Sequence, residues 1–173
     1  VAFALLSVVL AIGLKNAPEK GLIKSPLIGR SAPAFELPDL LDPAKTLSGK
    51  EFRGNWYVVN VWGTWCVECR VEHAQLLAMR REGRMPIIGI DWKDDDAEAI
   101  TWLARLGDPY TRIGADRDGR VAIDWGVYGA PESFLVDPQG IIVAKQVGVM
   151  TAEIWARWLR EHVDRADDIG ARS

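Results

Sequence analysis

An α/β layered domain is the fold class this sequence predicts, on three observations. Two near-continuous apolar runs, 57–63 and 87–92, read as buried central strands. Each is followed by a helix-like stretch, and two such strand–helix–strand units require helical crossovers and parallel strands. Two further apolar runs, 133–136 and 141–144, bracket Asp137-Pro138-Gln139-Gly140 and read as a hairpin.

In chain order, residues 1–14 are apolar and carry no charge. A membrane-spanning helix needs about 20 such residues. Because the chain starts with Val rather than Met, further residues are expected upstream. A signal-peptide core, an uncleaved membrane anchor and a buried core helix all fit. No Ala-x-Ala site follows Leu14, which favours the anchor. Residues 15–30, rich in Lys, Pro and Gly, read as an exposed linker, and 31–165 as the folded domain. Short strands are expected over 35–37 and 45–47, around a turn at Asp42-Pro43. The first helix spans 66–82, with Val71, Ala74, Leu77 and Ala78 as its apolar stripe and Gly83 and Pro86 closing it. Asp94-Asp95-Asp96 supplies cap and first-turn carboxylates for a helix over 97–106. A short strand over 112–115 and a short helix over 120–125 follow. Thr151 caps a last amphipathic helix reaching about Asp164, and residues 166–173 form a polar, frayed tail.

The chemistry concentrates in Trp65-Cys66-Val67-Glu68-Cys69. It holds the only two cysteines among 173 residues. A bridge between positions three apart closes almost no loop and adds little stability. Strand, Cys-x-x-Cys, then helix is instead the setting of a thiol–disulfide redox site. Cys66, at the helix N-terminus, has unpaired N–H groups and the helix dipole to stabilise a thiolate, and is expected to be the more exposed nucleophile. Cys69, one turn in, is the buried resolving thiol that displaces a mixed disulfide. No diffusible cofactor is needed. A net charge of −3 argues against nucleic-acid binding. Cys66, Cys69 and His73 also form C-x-x-C-x-x-x-H, the basis of a metal-chaperone alternative. A closed zinc site takes four ligands, and the other histidine, His162, lies in the last helix, so no metal is assigned. Arg70 stands where haem attachment would need histidine. The Asp94–Asp96 run lacks a calcium-loop pattern. A peroxidase would not need the Cys-x-x-Cys turn.

Three segments carry a resemblance: Asn60-Val61-Trp62-Gly63-Thr64-Trp65-Cys66-Val67-Glu68-Cys69-Arg70-Val71-Glu72-His73, Trp92-Lys93-Asp94-Asp95, and Gly126-Val127-Tyr128-Gly129-Ala130-Pro131-Glu132-Ser133-Phe134. Over 28–163 the chain resembles the thioredoxin superfamily and, within it, the DsbE/CcmG family of cytochrome c biogenesis thiol:disulfide interchange proteins. The last segment is the more specific. The resemblance implies a thioredoxin-like fold, a central mixed sheet flanked by helices. It implies a membrane-tethered protein with its catalytic domain in the periplasm and its single N-terminal anchor in the inner membrane. Its task would be to reduce disulfides of apocytochrome c or of the thiol proteins that handle it, with electrons from a DsbD-type membrane transporter. A general extracytoplasmic reductase or oxidase is the neighbouring alternative, and a monomer the default. Two positions depart from common relatives: Val67 stands where many have proline, and Asn60 where thioredoxin has a buried aspartate.

The resemblance further implies a cis peptide at Ala130–Pro131 facing the cysteines, with backbone at Ala130 free to pair with an extended substrate. Glu72 and Glu132 match positions lining the active site; Glu68 is either part of that charge or simply solvated. Carboxylates disfavour the Cys66 thiolate and make the pair a better reductant, while Arg70 pulls the other way. Glu132 is expected to carry protons in place of the acid missing at Asn60. Trp65 is expected to shield the disulfide, Trp62 to be core, and His73 to lie on the helix surface.

Overall fold

The computed structural model describes residues 25–170. The apolar segment 1–14 and linker residues 15–24 lie outside the described residues, as do 171–173. Among the described residues, no helix is long and apolar enough to cross a membrane.

A five-stranded mixed sheet forms the centre. Its strands are β3 (Tyr57–Trp62), β4 (Ile87–Trp92), β5 (Arg112–Asp116), β6 (Glu132–Val136) and β7 (Ile142–Val147), in the order β5-β4-β3-β6-β7. β3, β4 and β5 run parallel, while β6 is antiparallel to β3 and β7 to β6. The parallel crossovers are α1 (Val67–Glu82) and α2 (Asp96–Leu106). β1 (Glu36–Pro38) and β2 (Thr46–Ser48) pair as a separate hairpin beside β5. Every residue of β3 is buried, because helices or the hairpin cover both faces of the sheet. Val58 and Trp62 join the core under α1, α2 and the C-terminal helix, while Tyr57, Val59 and Val61 face the opposite core with Phe35, Leu47 and Trp125.

The local signals read from sequence act as expected at several ends. Gly83 adopts φ +69° and ends α1, and the Asp95 carboxylate accepts from the N–H groups of Ala97 and Glu98 to start α2. Asp137 Oδ1 accepts from Gln139 and Ile141 in the β6–β7 turn. Three features differ. The buried face of α1 is Cys69, Glu72, His73, Leu76 and Met79, whereas Val71 is 65% exposed and Ala74 is exposed too. The apolar-stripe rule fails there because two polar side chains occupy the inner face. Residues 25–30 of the expected linker dock on the sheet edge, where Gly29 N donates to the Ile142 carbonyl and Ile142 N to Arg30. The last helix, α3 (Arg120–Asp124) being the short one before it, starts as α4 (Ala152–Trp158), widens into a π-helical stretch (Leu159–Asp164) and continues as α5 (Arg165–Gly170). It therefore runs into the segment read as a frayed tail.

Candidate active site

Cys66 is the N-cap residue of α1, in extended conformation, and its Sγ accepts a hydrogen bond from Cys69 N at 3.0 Å. It is disulfide-bonded to Cys69, with the two Cα atoms 5.2 Å apart. One of the otherwise unpaired first-turn N–H groups therefore points at the Cys66 sulfur, and after reduction the same donor and the helix dipole favour its thiolate. The expected contrast in exposure is nearly absent in the bridged form: Cys66 is 5% exposed and Cys69 3%. Ala130 packs against the same core cluster as both cysteines, from the loop before β6. The Ala130–Pro131 peptide is cis, and the Pro131 carbonyl accepts from Gly148 N.

Glu72 lies three residues beyond Cys69 on the same face of α1. It is 1% exposed. Its Oε1 accepts from Asn60 Nδ2 and its Oε2 from Met150 N, both at 2.8 Å. Asn60 also donates to Ser133 Oγ and accepts from the Tyr110 hydroxyl. Burial pushes the Glu72 carboxyl up to about 7, against the two hydrogen bonds that favour its charged form, and the Glu68 charge adds to the rise. No ion pair among the described residues includes Glu72. Glu132 is differently placed. It is fully buried, accepts from Tyr128 N at 3.1 Å, and pairs with Lys145 Nζ at 2.7 Å. Lys145 also lies over the rings of Tyr128 and Phe134. Of these two glutamates, Glu72 is the one without a cation, while Glu132 is paired with Lys145. Glu68 is exposed.

Trp65 is 51% exposed and stands beside the disulfide turn, its indole N–H donating to the Trp92 carbonyl at 3.1 Å. Its ring meets that of Trp92 edge-on. Trp62 is in the core, stacked on Tyr110. Arg70 lies over the Trp102 ring, 4.2 Å from its centroid. A cleft of about 480 Å³ opens beside Trp65, between Arg70 and α2 residues Thr101, Trp102 and Arg105. His73 is not on the helix surface. It is 5% exposed, its Nε2 donates to the Gly107 carbonyl at 2.9 Å, and its ring sits edge-on to Trp102. Burial lowers its proton affinity. A histidine held this way ties α1 to the end of α2, and the metal-chaperone reading has no group of three candidate ligands among the described residues.

Several members of this site have no local sequence signal. Asn60 is visible as a polar residue inside an apolar strand, but Tyr110, Ser133 and Lys145 join it only through the sheet.

Residues 28–145 match a family model described as the AhpC/TSA family. Over 163 residues the chain is 47% identical to the thiol:disulfide interchange protein DsbE of Allochromatium vinosum, a match covering 94% of this chain and 89% of that protein. The DsbE of Pseudomonas aeruginosa is 46% identical over 157 residues, covering 91% and 86%. The chain belongs to the DsbE family. With the Cys66–Cys69 pair, it is a thiol:disulfide oxidoreductase. The fold agrees with that membership. The crystal structure of a DsbF homologue from Corynebacterium diphtheriae superposes with a TM-score of 0.70 at 18% identity, covering 84% of this chain and 94% of that one. The DsbE-family frame is thus a thioredoxin-like domain with its disulfide at the N-terminus of α1.

Proposed function

We propose that this DsbE-family protein is a dedicated reductant of protein disulfides. Its apolar N-terminal segment would tether it to the inner membrane with the domain in the periplasm. Its targets would be apocytochrome c or the thiol proteins that handle it, and a DsbD-type transporter would restore its dithiol. The observation that supports a reductant is Glu72, a buried carboxyl without a cationic partner, one helical turn from Cys69 and half-charged near neutral pH. Negative charge beside the dithiol raises the energy of the thiolate form, which favours giving up electrons.

The cycle balances as follows. The Cys66 thiolate attacks a target disulfide, forming a mixed disulfide and expelling one target sulfur as thiolate. Cys69 passes its proton to the Glu72 carboxylate and attacks the Cys66 sulfur. The Cys66–Cys69 disulfide forms and the second target sulfur leaves. The target gains two electrons and this protein loses two. Ala130 packs against the core cluster that holds the pair, and its backbone would pair with an extended target segment.

The test is the equilibrium reduction potential of Cys66–Cys69, read by tryptophan fluorescence in thiol/disulfide buffers, with Glu72→Gln in parallel. A value below about −200 mV is expected, and one near about −120 mV would point to an oxidase. Glu72→Gln is expected to slow resolution of the mixed disulfide by about 10²-fold. A variant that resolves at the wild-type rate removes Glu72 from the proton path.

A further inference from the structure

The turn that presents Trp65 and Cys66 is held by a pair of carboxyl groups that the cycle above does not use. Thr64 donates both its backbone N–H and its hydroxyl to Asp94, the hydroxyl at 2.7 Å to Oδ1. Asp94 also accepts from Asp95 N at 2.9 Å. The Asp91 carboxyl lies close enough to Asp94 to feel both its charge and its hydrogen-bonding oxygens, and Asp91 Oδ1 is buried with no backbone or side-chain donor of its own among the described residues. Asp91 is 2% exposed at the end of β4, in register with Trp62, and so lies on the sheet face that carries α1 and α2. Between the two acids Lys93 adopts φ +50°, the only non-glycine residue with positive φ among the described residues. Its N–H donates to the Asp116 carbonyl at 3.0 Å. That left-handed residue turns the chain so that Asp94 folds back over the β3–α1 loop; an uncommon conformation held by its surroundings marks a constrained site.

Two carboxyl groups this close share a proton. Asp94 already accepts three donors, which leaves the proton to Asp91. Burial pushes Asp91 up to about 8, followed by the charge and hydrogen bond of Asp94 and the charge of Asp96, with Arg117 opposing. Arg117 is itself paired with Asp96. Tyr110, the remaining titratable group that senses Asp91, is buried and held well above its ordinary value, so it stays neutral.

We propose that Asp91 is a positioning residue for thiol–disulfide exchange: as a neutral acid it donates to Asp94, and Asp94 thereby fixes Thr64 and the turn that presents Cys66. Loss of its proton to solvent places two carboxylates in contact and releases that turn. Exchange then falls at alkaline pH, where formation of the Cys66 thiolate alone would raise it.

The test uses the disulfide-bonded protein, in which neither cysteine titrates. The Thr64 amide is followed by NMR from pH 6 to pH 9.5. Wild type is expected to show a transition near pH 8 that is absent in Asp91→Asn, which keeps a donor but cannot ionise. Glu72 titrates in both proteins, so the difference isolates Asp91. In the exchange assay at pH 7, Asp91→Leu is expected to lose about tenfold in rate, the worth of one charge-assisted hydrogen bond, and Asp91→Asn to recover it. A transition that persists in Asp91→Asn, or its absence from wild type, overturns the proposal. So does wild-type exchange in a folded Asp91→Leu. If Asp91→Leu does not fold, the Asp91→Asn titration decides alone.

Discussion

Glu72→Gln should change the pH dependence of stability, with a sign and a size that follow from its burial. The carboxyl titrates at its ordinary 4.5 in the unfolded chain and at about 7 in the fold, burial being the main cause. Between those values the folded state keeps a proton that the unfolded state has lost. Folding is therefore favoured at low pH. Stability falls as pH rises from 4.5, and levels off above about 7. At about 1.4 kcal/mol per pH unit, the loss is about 3 kcal/mol. Glutamine cannot ionise, so the variant lacks this slope. Its amide NH₂ must face either Asn60 Nδ2 or Met150 N, where Glu72 presents an acceptor to both. That mismatch costs about 1–3 kcal/mol at every pH. The variant should be the less stable protein at pH 4.5 and should draw level with or pass wild type at pH 8. The assay is urea unfolding of the disulfide-bonded protein at constant ionic strength across that range. Groups common to both proteins, Asp91 among them, cancel in the difference. A difference between variant and wild type that stays constant with pH would refute the reasoning and would mean that Glu72 is not held neutral by burial.

Lys145→Met removes the cation from the fully buried Glu132 carboxylate, and urea unfolding should show a loss of about 3–5 kcal/mol, most of it recovered in the double variant with Glu132→Gln. Gly89→Ala would bring a Cβ to 3.0 Å from both Trp62 Nε1 and the Tyr110 ring, so the same assay should show a loss of about 1–3 kcal/mol from crowding beneath the Asn60 network.

The strands were legible because burial on both faces writes itself into consecutive residues. The runs 57–63 and 87–92 are the clearest in the chain, and they are the central pair β3 and β4. Caps and turns were legible because Gly83, Asp95 and Asp137 act on backbone within a few positions. The inner face of α1 was not. A search for apolar periodicity selects Val71 and Ala74, yet the helix turns Glu72 and His73 inward. Their partners, Met150 N and the Gly107 carbonyl, are supplied by distant segments, and no local rule can anticipate them. Likewise Glu132 meets Lys145 only once β6 and β7 are in register, with Phe134 opposite Lys145. Asp91 sits inside a run that reads as strand, and only the turn at Lys93 brings Asp94 back to it.

The location of the buried acid has a mechanical consequence. An acid on β3, where Asn60 stands, would reach the cysteines only across the packing between sheet and helix. Here the strand supplies a neutral donor, and the acid is carried by the helix that carries the disulfide. The spacing of Cys69 and Glu72 is then a property of one helical turn. A small shift of α1 against the sheet, as a partner docks, leaves that spacing intact while altering the Asn60 contact that favours the charged carboxylate. Such a shift would weaken the carboxylate's stabilisation and make Glu72 a better proton acceptor at the stage when Cys69 must lose its proton. Asn60, the departure from thioredoxin visible in the sequence, and Glu72 thus form one arrangement, a neutral donor on the strand bound to a carboxyl on the helix, and under the proposed cycle the strand would tune the base that the helix holds in place.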